Sequence, residues 1–174
     1  YTTLFRSGSE WRYDIISEGL KINLPDICAA IGLAQLRQYE RHLLPERKRV
    51  ALRYLNAFQN YDWALLPPQM DELKESSYHI FPLRIKGISE KERDNIIRKI
   101  INSGVSANVH FVPLPMFSFF REKGYMMTDF PVSFSNYCRE ISLPIYPQLS
   151  NDQVDFIVSA VVKAVNSYVH EAIM

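Results

Sequence analysis

Few of the residues that make recognisable phosphate or metal sites occur in this sequence. Only six glycines are present in 174 residues, and none form a Walker-type or GxGxxG cluster, so a glycine-rich phosphate loop is excluded. No GxSxG is present either, which removes the nucleophile elbow of the serine hydrolases. The two cysteines, Cys28 and Cys138, stand far apart and outside any CxxC spacing, and no HExxH occurs. That argues against a disulfide framework and a nucleated zinc site, and suits a reducing compartment. The formal net charge is only +1, so the whole molecule has no strong attraction for nucleic acid or an acidic membrane surface. No apolar run reaches the roughly 20 residues needed to cross a bilayer. The first residues mix Arg6, Glu10, Trp11 and Arg12 among polar groups, unlike a signal peptide. A cytoplasmic protein that meets neither nucleic acid nor membrane is expected.

The composition is otherwise that of a globular chain, 47% hydrophobic and 22% charged, long enough for one sizeable core or a small domain with an extension. The chain does not begin with methionine, and Tyr1–Ser7 (YTTLFRS) reads like the translated end of a sequencing-library adapter. Those seven residues are expected to be a non-native scar on a frame truncated upstream. A long helical stretch runs from about Leu24 to Phe58, opening with Pro25 and Asp26. Ile27, Ile31, Ala34 and Leu36 recur at helical spacing; Pro45 predicts a kink, or a second helix with proline at its first position. Tyr78–Lys86 alternates as a strand, with Pro82 predicting an edge position or a bulge. Ser89 and Glu92 form a capping box for a helix that Gly104 closes, and Ser150 with Gln153 form another for the last helix. Val105–Val112 and Ile141–Ile145 read as further strands, with a short helix from Pro131 to about Arg139 between them. The order is α/β: a short sheet covered on one face by helices, preceded by a long helix.

Among the histidines, His42 and His170 are expected in solvent, and His79 as a core or boundary residue of its strand rather than a ligand. His110 ends a strand at a proline-stiffened loop, where sites tend to lie, and a functional and a structural role stand level. No carboxylate pair is placed for acid–base work. Asp26–Gln38 could be a helix-turn-helix with its turn at Gly32, and residues 37–53 carry six Lys/Arg against two Glu. A continuous amphipathic helix is the preferred reading, because no second basic element accompanies it.

Three blocks in register resemble the DegT-type sugar aminotransferases, pyridoxal-phosphate enzymes of fold type I. They are Trp11–Asp14 with Gly19–Leu36, Ser77–Phe81 with Arg93-Asp94, and Gly104-Val105 with His110–Leu114 and Ile141–Pro147. The similarity spans roughly residues 8 to 168. It implies that residues 8–60 are the end of a large domain plus an interdomain helix, and 61–174 the small C-terminal domain. The family's Schiff-base lysine and pyridine-pairing carboxylate belong to a preceding domain, so this chain alone is expected to be inactive. Asn23 looks like the residue that reaches the phosphate of a partner subunit's cofactor in a homodimer, although it also suits a plain N-cap. Lys21 is matched to the substrate diphosphate, and His110 and Phe111 to the sugar side of the site; the family's usual tyrosine is replaced at Phe111. Arg93-Asp94 and Leu143-Pro144 match as structural residues. The implied reaction moves an amino group from glutamate to a nucleotide-linked keto sugar, with pyridoxal 5'-phosphate carrying it. A dehydratase of the same family and a non-catalytic binding module remain open beside it.

Overall fold

A computed structural model describes residues 14, 24–70 and 72–171. Helix α1 spans Asp26–Gln38, with Pro25 in extended backbone before it and Asp26 acidic in its first turn. It passes without a turn at Gly32 into a π-helical segment, Tyr39–Leu43, and then α2, Leu44–Phe58. Pro45, in the first turn of α2, cannot donate to the carbonyl of the turn before it. The widened π turn accommodates the missing bond, so the proline is absorbed without a break. The helix-turn-helix alternative is ruled out by this continuity. Four of the six basic residues of 37–53, Arg47, Lys48, Arg49 and Arg53, are bonded to this chain's own oxygens.

A three-stranded antiparallel sheet follows, ordered β1-β2-β3, from β1 (Ala64–Leu65), β2 (Phe81–Ile85) and β3 (Glu140–Leu143). Between β2 and β3 lie α3 (Glu90–Asn102), the short α4 (Ser118–Glu122) and α5 (Pro131–Tyr137); α6 (Asn151–Glu171) closes the chain. Both capping boxes form. Ser89 accepts from the Glu92 N–H while Glu92 accepts from the Ser89 N–H, and Ser150 and Gln153 exchange the same pair. Gly104 turns the end of α3 at φ 86°.

Two strand expectations are corrected. Residues 105–112 form no strand: among the described residues a single bridge, Asn108 to Ser142, is their only ladder contact. The Val109 N–H is taken by the Asn108 side chain and the His110 N–H by the Glu140 carboxylate, so the ladder has no donors left there. The third strand is instead β1, too short for its alternation to be read. Pro82 lies in the middle strand rather than at an edge. Ile85 donates towards β3 and Lys86 towards Trp63, so even-numbered donors of β2 face β1. Since β1 ends with Leu65 opposite Arg84, residue 82 has no strand to donate to, and the proline costs nothing there.

Phe81, Leu83 and Ile85 of β2 and Ile141 and Leu143 of β3 point to one face and are buried. Tyr54 and Phe58 of α2, Ile96, Ile97 and Ile100 of α3, and Val154, Val161 and Val165 of α6 cover them. Each such side chain contributes about 1.5–3 kcal/mol of burial. The opposite face carries Pro82, Arg84, Glu140 and Ser142. Helix α1 stands apart: it buries no residue, and Leu24, Ile27, Ile31 and Leu36 are all more than half exposed. Among the described residues no helix is long and apolar enough to cross a membrane.

Candidate active-site wall at His110 and Phe111

The polar face of the sheet is where the third sequence block comes to lie. Asn108 and Ser142 exchange backbone hydrogen bonds of 3.3 and 2.7 Å, which fixes the 105–112 segment along β3. His110 and Phe111 then project as a common wall between two open clefts. One cleft, about 420 Å³, is bounded by His79, Asn108, Ser142, Pro144 and Tyr146. The other, about 380 Å³, is bounded by Pro82, Arg84, Asn136, Tyr137 and Glu140. Tyr146 and His79 stand on loops tied to α2. Arg47 Nη1 donates to the carbonyls of Ile145 (3.1 Å) and His79 (3.5 Å), and the Tyr54 hydroxyl donates to Pro144 O at 2.8 Å. A larger cleft, about 720 Å³, is apolar except around Arg121 and Thr128, and holds none of the candidate site residues.

His110 is half-buried, and its ring meets the exposed Phe111 ring edge-on, with centroids 4.7 Å apart. Its Nδ1 is buried and has no hydrogen-bond partner among the described residues. Burial, with a smaller push from His79, holds the imidazole pKa below its ordinary value, so the ring is neutral at neutral pH. A neutral ring can donate from one nitrogen and accept at the other, which suits a hydroxyl-bearing ligand. His79 departs from expectation. It is exposed and precedes β2, and its carbonyl accepts from Arg47. Its neighbour Tyr78 is buried, held at φ 51°, and its hydroxyl donates to Glu75 at 2.9 Å. Lys21 and Asn23 lie outside the described residues, as does the segment Tyr1–Ser7.

Glu140 was not singled out by any pattern in the sequence. Its carboxyl group is buried behind the wall, where Oε2 accepts the His110 N–H at 3.0 Å and Oε1 accepts the Ser142 hydroxyl. Burial pushes its pKa up to about 7, against the opposing pull of Ser142, the His110 N–H and Arg93. A lone acid ahead of an apolar strand looks like an ordinary loop flank, and only the Asn108–Ser142 bridge brings residue 110 to it. Arg93 and Asp94, read from the sequence as structural, are buried within the fold. Arg93 is fully buried, with Nε on Asp94 at 2.9 Å and Nη1 on the carbonyls of Tyr137 (2.9 Å) and Glu140 (3.2 Å). Asp14, from the first block, accepts the Ser118 N–H at 2.8 Å and the Ser118 hydroxyl. Among the described residues no group of three or more potential ligands could hold a metal ion.

The family model of the DegT/DnrJ/EryC1/StrS aminotransferases matches residues 3–162. The chain belongs to that family. It is 32% identical over 162 residues to the spore coat polysaccharide biosynthesis protein SpsC of Bacillus subtilis, covering 90% of this chain and 41% of SpsC. Protein MJ1066 of Methanocaldococcus jannaschii is 36% identical over 164 residues, covering 93% and 42%. Among solved structures, Spr1654 of Streptococcus pneumoniae, described as a sugar aminotransferase, superposes in its PMP form with TM-score 0.79 at 34% identity. That match covers 91% of this chain and 39% of Spr1654, which has also been solved in a PLP form. The chain therefore spans about two fifths of the relatives it matches.

Pyridoxal phosphate requires an amine for its aldehyde, a carboxylate for its ring nitrogen and donors for its phosphate. Among the described residues no lysine borders either cleft beside His110. The nearest carboxylate, Glu140, is committed to His110 and Ser142. The described residues of this DegT-family chain do not fit the cofactor by themselves; they form a wall that a ligand can meet.

Proposed function

We propose that this chain is the C-terminal part of a nucleotide-sugar aminotransferase that uses pyridoxal 5'-phosphate and moves an amino group from glutamate to a keto sugar. The observation that carries the reading is the His110–Phe111 wall. It presents a neutral imidazole with an unpartnered buried nitrogen between two clefts, in a chain that belongs to the DegT/DnrJ/EryC1/StrS family. A similar chain, 23% identical, is a UDP-4-amino-4,6-dideoxy-N-acetyl-beta-L-altrosamine transaminase of Campylobacter jejuni, which favours a UDP-linked substrate here. In this reading the cofactor supplies the amino-carrying chemistry and the lysine that holds it comes from a preceding domain. His110 hydrogen-bonds a sugar hydroxyl, and Phe111 covers the ring without the hydroxyl that a tyrosine would offer. Lys21 meets the substrate diphosphate, and Asn23 donates to the phosphate of the cofactor of the second subunit in a homodimer. The exposed apolar face of α1 is the surface on which the larger domain rests.

The test is product formation. Full-length protein loaded with pyridoxamine phosphate, mixed with a UDP-linked 4-keto sugar, should yield the amino sugar by mass spectrometry. His110→Ala should raise the sugar KM by about tenfold, as loss of one well-placed hydrogen bond does. The 174-residue chain alone should yield none. Dehydration of the sugar in place of amination would move the protein to the dehydratase reading.

A further inference from the structure

The wall has a support that neither the family nor the sequence blocks assign. Glu140 is only 5% exposed, yet both of its carboxyl oxygens are spent on the segment that carries His110 and on Ser142, which is bridged to that segment. No ladder hydrogen bond holds residues 109–112 to the sheet, so the His110 N–H bond to Glu140 Oε2 is what sets the wall's distance from β3. We infer that Glu140 is the positioning residue of the His110–Phe111 wall, and that the charge on its carboxyl group sets how firmly that wall stands between the two clefts. Its bearing on sugar binding rests on the function proposed above; the positioning itself does not.

The surroundings give the charge its leverage. An ionised Glu140 accepts two strong hydrogen bonds, whereas a protonated one must turn an O–H towards Ser142 and offers the His110 N–H a weaker neutral acceptor. The groups that face it are few. Arg84, its cross-strand neighbour on β2, is turned away to Asn136 Oδ1 at 2.6 Å. Arg93 of α3 approaches through the Glu140 carbonyl, and is shared with Asp94 and Glu90. Tyr137 of α5 donates its hydroxyl to Glu90, and His110 contributes a neutral ring. With its pKa pushed up to about 7, the carboxyl changes charge within the working range of pH.

The experiment places 4-fluorophenylalanine at position 111 of the full-length protein and follows its fluorine resonance against pH. Phe111 is 63% exposed, so the probe is tolerated. The wild-type background should show a step with a midpoint near 7. Glu140→Gln, the neutral isostere of the protonated acid, should abolish that step and hold the resonance at its low-pH position. Ser142→Ala removes a donor to the ionised form and should move the midpoint upward, which keeps the inference testable should Glu140→Gln not fold. A step that persists unmoved in Glu140→Gln, as titration of His110 would give, overturns the assignment; so does an unmoved midpoint in Ser142→Ala. In the sugar half-reaction Glu140→Gln should raise the sugar KM about tenfold at pH 8 and change it little at pH 6. A full-length protein without transaminase activity refutes the proposed function, while the fluorine titration tests the positioning role independently of it.

Discussion

Arg93→Met is the perturbation whose size the structure fixes best. The guanidinium is wholly buried and joins three elements: Asp94 on its own helix, the Tyr137 carbonyl at the end of α5, and the Glu140 carbonyl at the start of β3. It also lies over the Tyr137 ring, 4.7 Å from the centroid. Methionine keeps much of the volume but none of the donors. Asp94, 4% exposed, then holds a buried charge without its guanidinium, and two carbonyls lose their donor. Removing one partner of a buried ion pair costs about 3–5 kcal/mol. The stacking over Tyr137 adds roughly 1 kcal/mol, so a loss of about 4–6 kcal/mol is expected. Urea denaturation followed by far-UV circular dichroism reads this as a drop in midpoint at unchanged slope. Arg93→Met with Asp94→Asn should recover about half of the loss, because the carboxylate that lost its guanidinium goes with it. A loss below about 1 kcal/mol for Arg93→Met alone would refute the reasoning, since it would mean that water reaches Asp94 and the two carbonyls.

Tyr54→Phe should cost about 1–2 kcal/mol, because the buried hydroxyl is the donor to Pro144 O that anchors the loop of Tyr146; chemical denaturation of the pair of proteins measures it. Ser89→Ala should cost about 1 kcal/mol by the same assay and raise amide exchange in the first turn of α3, where the capping box is lost. Glu140 gives a pH dependence of definite sign. Its folded pKa of about 7 lies above the ordinary carboxyl value of 4.5, so the folded state keeps a proton that the unfolded chain has released. Stability therefore falls as pH rises through that window, and Glu140→Gln should be the more stable protein by about 2–3 kcal/mol at pH 8, with the difference closing towards pH 5. Urea midpoints of both proteins across that range check it, and a wild-type protein that gains on the variant as pH rises would reverse the sign.

The parts of this molecule that are plain in sequence are those whose physics is local. Both capping boxes, the proline-opened helix at Asp26 and the C-terminal glycine at 104 depend on residues within a turn of one another, and all formed. The apolar face of β2 was legible because Phe81, Leu83 and Ile85 alternate above a helical core. What could not be read was decided between distant segments. Val105–Val112 has the alternation of a strand, but the Asn108 and Glu140 side chains take the donors that a ladder would need. Two-residue β1 is too short to show a period, and with it went the reason that Pro82 is harmless in a middle strand. The same limit applies at the site. His110 was marked by its loop and Phe111 by the family resemblance, whereas Glu140 matters only because Ser142 of β3 is bridged to Asn108, far away in sequence. His79, expected at the core or boundary, is exposed: the backbone at Tyr78 is left-handed, and the tyrosine is the buried one of the two.

The proposed activity is tested most directly by one absorption spectrum. Full-length protein is purified with pyridoxal phosphate and recorded before and after glutamate is added. A visible band of protein-bound cofactor should be present at first and give way to the pyridoxamine form once glutamate is added. A protein that stays colourless, or that binds the cofactor and does not respond to glutamate, would contradict the aminotransferase assignment.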